Sequence, residues 1–453
     1  MKFIHKPYLP GETIAAVATP PGEGGVAIIR VSGKEAFSVV SKIYSGPIYS
    51  YKSHTAHFGS IVDRGEVVDE VLLLVMRAPR SYTGEDTVEI HCHGGSLITK
   101  KVLETVLAAG VRAALPGEFT FKAFRNGKID LAQAEAVQEL ISAKNSLALQ
   151  AAEKQLEGAL SATILQFQKE LTDIAAIIEA WIDFPEEGLE FATLDEIVDK
   201  LILVHTKIAR LAHSFHEGKV LHEGLTLCLL GAPNVGKSSL MNALLGKERA
   251  IVTDIPGTTR DLLEDELRLG GLHFRLLDTA GVRRTEEVIE REGIRRTKKA
   301  VEEADLLLLV LDSTRGVGEE EEELLRISEG KRRLIVWNKI DIGVPSPLRD
   351  ALSISAKERI GLDLLKERIE KLIWQDGPPS KEELLISNVR HKEALLNARD
   401  ALSQLISGLK EGVSPEFLSS DLRRALSELG TIIGTDITEE ILTAIFSKFC
   451  VGK

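Results

Sequence analysis

The motif Gly231-Ala-Pro-Asn-Val-Gly236-Lys237-Ser238 connects two segments of different character. The run before it, Leu225-Thr-Leu-Cys-Leu-Leu230, is apolar like a buried strand, and Ser239-Leu-Met-Asn-Ala-Leu-Leu245 after it has helical spacing. This setting is typical of a phosphate-binding loop, whose backbone N–H groups turn inward while the helix N-terminus adds positive charge. Lys237 offers a mobile cation and Ser238 a hydroxyl ligand for Mg²⁺. The sequence therefore predicts a nucleotide-binding domain.

Three later motifs indicate that the nucleotide is GTP. Asp278-Thr-Ala-Gly281 ends a predicted strand, where the Asp reaches Mg²⁺ through water and the Gly N–H reaches the γ-phosphate. In Asn338-Lys339-Ile340-Asp341, the final Asp can accept the N1–H and the exocyclic amine of guanine, a donor pair that adenine lacks. Ser355-Ala356-Lys357 completes the predicted base pocket, and a Thr of Gly257-Thr-Thr-Arg-Asp261 would close over Mg²⁺.

The motifs leave the catalytic group open. Val282 follows Gly281, where some GTPases have a Gln that orients the attacking water. Two replacements are possible: a monovalent cation in place of an arginine finger, which Asn234 could help to bind, or a carboxylate from the acidic segment Thr285–Glu292. Glu290 is the candidate in that segment, although an exposed Glu there is more often only a solvated side chain.

Composition and charge exclude several classes of protein. The chain has 453 residues, enough for about three domains, and a formal net charge of −12 that argues against a uniformly basic nucleic-acid binder but not against a local basic groove. Three cysteines exclude a disulfide scaffold and favour a reducing compartment. The first residues lack a signal-peptide pattern, and the strongest apolar run, Leu306–Leu311, is too short for a membrane span. We expect a cytoplasmic protein with no membrane partner.

The residue patterns along the chain predict that one domain is inserted into another. Residues 1 to about 120 mix short apolar runs with turn signals, whereas the stretch between Pro116 and Pro185 has no proline and the spacing of two or more long amphipathic helices. Residues 222–375 alternate apolar runs with amphipathic segments, with a hairpin signal at Gly270-Gly271. Helical periodicity then returns to the end. These patterns indicate an α/β domain inserted into a helical domain built from both flanks.

Further motifs lie outside the nucleotide site. They are Thr19-Pro-Pro-Gly-Glu-Gly-Gly-Val-Ala-Ile-Ile-Arg30-Val-Ser-Gly33, Tyr82-Thr-Gly-Glu-Asp86, Glu89, His93-Gly-Gly95, Pro116-Gly-Glu-Phe119, Asn126-Gly-Lys-Ile-Asp-Leu-Ala-Gln-Ala-Glu135, Ile182-Asp-Phe-Pro-Glu186 and Phe449-Cys-Val-Gly-Lys453. Together with the nucleotide motifs, they resemble the MnmE (TrmE) family of GTPases that modify the wobble uridine of tRNA. The resemblance extends from about residue 12 to the last residue, and Val451 replaces the Ile usual in the terminal motif.

This resemblance implies a multidomain α/β and α fold with four consecutive segments. An N-terminal α+β domain that binds tetrahydrofolate and forms the dimer is expected over 1–120, and the first part of a discontinuous helical domain over 121–221. An inserted Ras-like α/β G domain is expected over 222–376, and the second helical part, with the terminal Cys-Val-Gly-Lys, over 377–453.

The resemblance also assigns residues of the GTP site. It implies that K⁺ is held by Asn234, Thr253, Ile255 and Thr258, that Mg²⁺ is held by Ser238 and Thr259, and that Glu290 orients the attacking water. The residues expected to contact GTP are Asn234, Val235, Gly236, Lys237, Ser238, Ser239, Thr253, Asp254, Ile255, Pro256, Gly257, Thr258, Thr259, Asp278, Thr279, Ala280, Gly281, Asn338, Lys339, Asp341, Ser355, Ala356 and Lys357.

Cofactor and partners follow from the same resemblance. Arg30, Glu89, Lys128 and Lys453 would bind a tetrahydrofolate derivative, either 5,10-methylene or 5-formyl. The chain would form a homodimer through its N-terminal domain, pair its G domains transiently, and act on tRNA with the flavoprotein MnmG in a heterotetramer. Together they would add a (carboxymethyl)aminomethyl group to C5 of uridine 34.

Two other functions stay open from the residues alone. A ribosome-assembly GTPase of the Era-like kind shares the G-domain motifs, and a switch could regulate a partner that performs all the one-carbon chemistry. A zinc site at His91-Cys92-His93 is disfavoured, because neighbouring residues of a strand point to opposite faces. Cys450 lies near the end, but Gly452 and Lys453 do not fit a prenylation signal.

Overall fold

The structure, a computed structural model, describes residues 8, 11–183, 193–245, 266–269, 272–277, 298–345, 347–348, 350–374, 377, 379–380 and 383–452. These residues form two six-stranded sheets and a layer of long helices.

The first sheet belongs to the N-terminal part of the chain. Its strand order is β3-β4-β5-β2-β1-β6, antiparallel except for the β1–β6 pair. One face of the sheet packs against α1 and α2 in a buried core. The elements are β1 Ile14–Val17, β2 Val26–Ser32, α1 Ala36–Val40, a 3₁₀ turn Ile48–Ser50, β3 Thr55–Asp63, β4 Glu66–Met76, β5 Thr87–His93, α2 Ser96–Ala108 and β6 Arg112–Ala113.

The helical layer is assembled from two separate parts of the chain. The first part comprises α3 Glu118–Arg125, α4 Leu131–Ser142, α5 Ser146–Leu156, α6 Ala159–Asp183, α7 Leu194–His213 and α8 Phe215–Glu223. The second comprises α12 Val389–Glu411, α13 Pro415–Ile433 and α14 Glu439–Phe446. Apolar residues of α6 and α7 share one buried core with those of α12 and α13, which confirms the predicted insertion.

The second sheet is formed by the chain segment that connects these two helical parts. Its order is β12-β11-β10-β7-β9-β8, parallel except for the antiparallel β8–β9 pair, so the predicted hairpin is confirmed although Gly270-Gly271 fall outside the described residues. Apolar cores cover both faces, as is usual for parallel sheets. The elements are β7 Leu225–Leu230, α9 Lys237–Leu245, β8 Glu266–Leu269, β9 Leu272–Leu277, β10 Leu306–Asp312, α10 Glu319–Ile327, β11 Arg333–Asn338, β12 Leu352–Ser353 and α11 Leu362–Ile373.

The strand register places two predicted motifs, the phosphate loop and the motif that begins at Asn338, at one edge of this sheet. Leu230 of β7 pairs with Leu309 of β10, and Asp312 of β10 pairs with Asn338 of β11. Parallel open sheets bind ligands at the carboxyl ends of their strands.

Among the described helices, none is long and apolar enough to cross a membrane.

Candidate nucleotide and cofactor sites

The phosphate loop connects the end of β7 to the start of α9. Gly231 and Gly236 both have positive φ, +152° and +98°. A Cβ on Gly231 would collide with the carbonyl oxygen of Val310, and a Cβ on Gly236 with the side-chain amide of Asn338. Both glycines are therefore required by backbone conformation and by close packing against β10 and β11.

Lys237 lies inside this loop. Its Nζ donates to the carbonyl oxygens of Gly231, at 2.6 Å, and Ala232, at 2.8 Å. The ammonium group is thus held beside the inward-turning backbone, where phosphate oxygens would replace those carbonyls as acceptors. Ser238 and Ser239 are exposed on the first turn of α9, and Val235 is buried beneath the loop.

Asn338 is the first residue of the predicted base-recognition motif, Asn338–Asp341, called the base motif below. It joins this motif to the phosphate loop. Its Nδ2 donates to the carbonyl oxygen of Val235 at 2.9 Å, and its Oδ1 accepts from the N–H of Ala356 at 2.9 Å. The side chain is buried, so both polar atoms are satisfied within the protein. The loop, β11 and the Ser355-Ala356 turn are consequently fixed relative to one another.

Lys339 makes a second connection. Its Nζ donates to the carbonyl oxygen of Asn234 at 2.7 Å and pairs with Oδ2 of Asp312 at 2.6 Å. Burial raises the pKa of Asp312, but hydrogen bonds from Lys339 and Thr314 outweigh it and hold that pKa below the usual value. Sequence reasoning missed Asp312; its signal was a carboxylate at the end of an otherwise apolar strand.

The Asp341 carboxylate, which is predicted to recognise guanine, is oriented by Ser355. The Ser355 hydroxyl donates to Oδ1 of Asp341 at 2.7 Å and accepts from the N–H of Glu358 at 3.1 Å. Asp341 is exposed, whereas Ser355 is buried. A buried hydroxyl therefore positions an accessible carboxylate, as base recognition requires. Lys357 is exposed beside this turn.

The remaining predicted residues of the GTP site lie outside the described residues. They are Thr253, Asp254, Ile255, Pro256, Gly257, Thr258, Thr259, Asp278, Thr279, Ala280, Gly281 and Glu290.

The N-terminal sheet brings together three parts of the chain around Arg30. Its Nε donates to Oε1 of Glu89, its cross-strand neighbour, at 2.8 Å, and its Nη1 donates to the carbonyl oxygen of Gly452 at 3.3 Å. The guanidinium carbon lies 5.6 Å from the ring centroids of both Tyr82 and Phe119. Only 15% of the Arg30 side chain and 13% of that of Glu89 are exposed.

The chain terminus is fixed beside this pair. The carbonyl oxygen of Cys450 accepts from the N–H of Gly117 at 3.2 Å, and a Cβ on Gly452, whose φ is +93°, would collide with the carbonyl oxygen of Val17. Lys453 lies outside the described residues, and Cys450 is exposed. These contacts do not include Lys128, whose Nζ donates to the carbonyl oxygen of Pro79.

His91, Cys92 and His93 lie on β5, and the exposure of their side chains differs from one residue to the next. Cys92 is buried in the core, whereas His93 is exposed and its Nδ1 lies 2.7 Å from Oδ1 of Asp69. Within the part of the chain that the structure describes, no group of three potential metal ligands is found.

Two family models together match most of the chain. Residues 13–128 match the N-terminus of the GTP-binding protein TrmE, and residues 131–450 match the MnmE helical domain. The chain is 64% identical over 458 residues to the tRNA modification GTPase MnmE of Protochlamydia amoebophila, covering 100% of both proteins. It is 43% identical over 457 residues to MnmE of Thermoanaerobacter pseudethanolicus, covering 98% of this chain and 99% of that protein.

Matches to solved structures are partial. The crystal structure of an Aquifex aeolicus Era variant bound to GDP and aluminium fluoride is 26% identical, covers 40% of this chain and 67% of that one, and has a TM-score of 0.26. The family assignment rests instead on the full-length sequence relatives and on the helical model that spans the G domain. The chain belongs to the MnmE family of tRNA modification GTPases.

Proposed function

We propose that this chain is a K⁺-dependent GTPase that acts with the flavoprotein MnmG on the wobble uridine of certain tRNAs. The pair would form a (carboxymethyl)aminomethyl group at C5 of uridine 34, using the one-carbon unit of a tetrahydrofolate derivative for the methylene carbon and an amino-acid co-substrate for the rest of the group. GTP hydrolysis would be coupled to pairing of two G domains. The observation that carries the GTPase part is the connection of the phosphate loop to the base motif through Asn338 and Lys339.

GTP binding would use the loop as it is built. Lys237 would exchange its carbonyl partners for phosphate oxygens, and Asp341, oriented by Ser355, would accept the two guanine donors. Because Asn338 and Lys339 fix the phosphate loop to the Asn338–Asp341 motif, these two described parts of the site would need little reorganisation on binding.

The described ligand candidates fit the two metal ions. The exposed Ser238 hydroxyl at the start of α9 is a suitable Mg²⁺ donor, and the side-chain carbonyl of the exposed Asn234 is a neutral oxygen donor of the kind K⁺ takes. Thr253, Ile255, Thr258 and Thr259 would complete the two sets. The positive charge that an arginine finger gives in other GTPases would come here from the bound K⁺.

The surroundings of Arg30 fit a folate. Glu89 offers carboxylate oxygens to the ring N–H groups of a pterin, and Arg30, Lys128 and Lys453 offer cations to a glutamate tail. Tyr82, which is partly exposed beside the guanidinium, would add aromatic surface. Both the 5,10-methylene and the 5-formyl derivative are compatible with this set.

The outer strands of the N-terminal sheet support homodimerisation through this domain. Phe58 of β3 and Leu72 of β4 are cross-strand neighbours, and 68% and 50% of their surfaces are exposed. A paired exposed apolar surface on an edge strand is favourable for association. We propose a homodimer that joins MnmG in a heterotetramer and works in the cytoplasm, whose reducing conditions suit three free cysteines.

Reconstitution with an altered base specificity tests this function. The Asp341→Asn variant replaces an acceptor with a donor, so it should favour xanthine, which has a carbonyl where guanine has its amine. With MnmG, tRNA, K⁺, Mg²⁺, 5,10-methylene-tetrahydrofolate and an amino-acid co-substrate such as glycine, we expect the variant to form the modified nucleoside with XTP but not with GTP, measured by mass spectrometry. Asp363→Asn, at an exposed site on α11, is the control. Equal modification by the Asp341 variant with GTP would contradict the proposal.

A further inference from the structure

A groove of about 370 Å³ lies between α7, α8 and α12 of the helical layer. Five of the residues that line it are basic, and among the described residues no carboxylate lines it. These basic residues are His213, His216, Lys219, Lys392 and Arg399.

Helical spacing directs these side chains into the groove. His216 and Lys219 are three residues apart on α8, and Lys392 and Arg399 are seven apart on α12, so each pair shares one face of its helix. The two faces meet because Phe215, at the start of α8, packs against the helical core to which α12 belongs. The clustering of cations is therefore a product of the fold that joins the two flanks of the inserted domain.

One of the cations is held in place by an aromatic ring. The Nζ of Lys392 lies 4.8 Å from the ring centroid of Phe215, and both residues line the groove. A cation–π contact orients the ammonium group without neutralising its charge. The lysine can then still attract an anion from solution.

Two carboxylates beside the groove compete for its cations. Lys219 lies 3.6 Å from Glu223, and Arg399 lies 2.6 Å from Asp400. Both pairs are at least one-third exposed on each side chain, and such pairs stabilise a protein by only about 0.2–1 kcal/mol. A row of phosphates can therefore displace them at small cost.

The overall charge limits where a polyanion can bind. With a net charge of −12, the chain repels RNA over much of its surface, so association requires a local concentration of cations. Phosphate contacts supply most of the affinity of such complexes and fix the position of the nucleic acid. The groove combines that concentration of cations with a concave shape.

We infer that this groove binds the phosphate backbone of the tRNA substrate. This inference rests on the proposed function and adds the surface by which the helical domain positions the tRNA. Lys219 and Lys392 contact phosphates, and His213, His216 and Arg399 extend the basic surface along the backbone.

Direct binding of unfractionated tRNA to the full-length protein tests the inference. We expect the Lys219→Gln/Lys392→Gln variant to bind labelled tRNA at least tenfold more weakly in fluorescence anisotropy. The slope of log affinity against log salt should fall by about one for each cation removed. Lys219→Arg/Lys392→Arg should restore both values, because charge rather than shape is required.

The matched control is Lys100→Gln/Lys299→Gln. Like Lys219, each of these exposed lysines forms an i,i+4 pair with a Glu, but on helical segments outside the groove. The control should keep wild-type affinity for tRNA and wild-type GTP turnover. If the double groove variant does not fold, Lys219→Gln alone, at a half-exposed side chain, should still lower the salt slope.

Wild-type tRNA affinity and salt slope in the groove variant would overturn the inference. Unchanged tRNA affinity with weakened binding of MnmG would also overturn it, by assigning the groove to the protein partner. Absence of GTP turnover in the wild-type protein would instead contradict the proposed function, so the two failures are distinguishable.

Discussion

Glu135 shows how one residue joins the two flanks of the insertion. This buried carboxylate on α4 accepts from Asn388 at 2.9 Å and lies 2.6 Å from Arg390 and 2.7 Å from His391, all in the chain that returns from the G domain. Burial raises its pKa, but the charges and hydrogen bonds of His391 and Arg390 outweigh this and lower the pKa to about 2. The carboxylate is therefore ionised in the folded helical core.

Glu135→Gln should destabilise the helical core by about 3 kcal/mol, because the buried His391 and the partly buried Arg390 would lose their ionic partner. The folded pKa lies below the unfolded value, so this stability is present above about pH 4.5 and is lost as the pH falls toward about 2. Denaturant midpoints from far-UV circular dichroism, measured across that range, should converge for wild type and variant at low pH. Glu153→Gln, at an exposed site on α5, is the control, and a constant difference down to pH 2 would refute the ionic role.

The proposed hydrolysis mechanism depends on Glu290, which would orient the attacking water. For Glu290→Ala we expect single-turnover hydrolysis to fall by orders of magnitude while GTP affinity hardly changes, since the loss is confined to the transition state. Glu287→Ala, in the same acidic segment, should hydrolyse GTP normally. Equal loss of GTP binding would show that Glu290 has a structural role.

Residues in motifs could be predicted from the sequence, whereas their long-range partners could not. Lys237, Asn338 and Asp341 were identified because fixed spacing implies their chemistry. Asp312 and Glu135 were not identified as charge partners, since their contacts depend on strand pairing and on helix packing across 250 or more residues. Such contacts join residues that are far apart in the sequence, so they become visible only in the folded structure.

At the level of elements, the ends of three parallel strands position the residues of the nucleotide site. β7 leads into the phosphate loop, β10 ends at Asp312, and β11 ends at Asn338. Asp312 fixes Lys339, and Lys339 fixes the backbone of Asn234. The end of β10 therefore supports the loop without belonging to any motif that we recognised.

Asp312→Asn should weaken GTP binding about tenfold, because Lys339 would lose a charge-assisted hydrogen bond worth about 1.5–3 kcal/mol. Turnover at saturating GTP should be nearly unchanged, because the base and the water-orienting groups remain. Titration with a fluorescent GTP analogue measures the affinity. Asp363→Asn provides the control, and wild-type affinity in the Asp312 variant would show that Lys339 is held by other contacts.

The helical elements were predicted in kind, with only a lower limit on their number. The proline-free stretch predicted two or more long helices, and the structure has α3, α4, α5 and α6 there. The interruptions fall at capping residues: Asp130 accepts from Gln133 and Asn145 accepts from Ala148 at the starts of α4 and α5. Periodicity reports an apolar face, whereas a short polar cap between two such faces is easily overlooked.

At the scale of the whole molecule, α5 contacts both chain segments that connect the helical layer to the inserted domain. Asn145 Nδ2 donates to the carbonyl oxygen of Leu221, just before β7, and Gln155 Nε2 donates to that of Leu385, where the chain returns. Movement of the G domain would therefore act on the helical layer through α5, and also through α4, whose Glu135 binds the returning chain. The insertion itself was predictable from the alternation of textures along the chain, but the domain boundaries stay predictions.

GTP turnover in K⁺ against Na⁺ at matched ionic strength tests the central claim most directly. Asn234 is the described member of the proposed K⁺ site, and Lys339 fixes its backbone. We predict strong stimulation of the wild-type protein by K⁺ and its loss in Asn234→Ala, with GTP affinity largely retained. Equal turnover in the two salts would contradict the account and leave a guanine-nucleotide switch with a different catalytic apparatus.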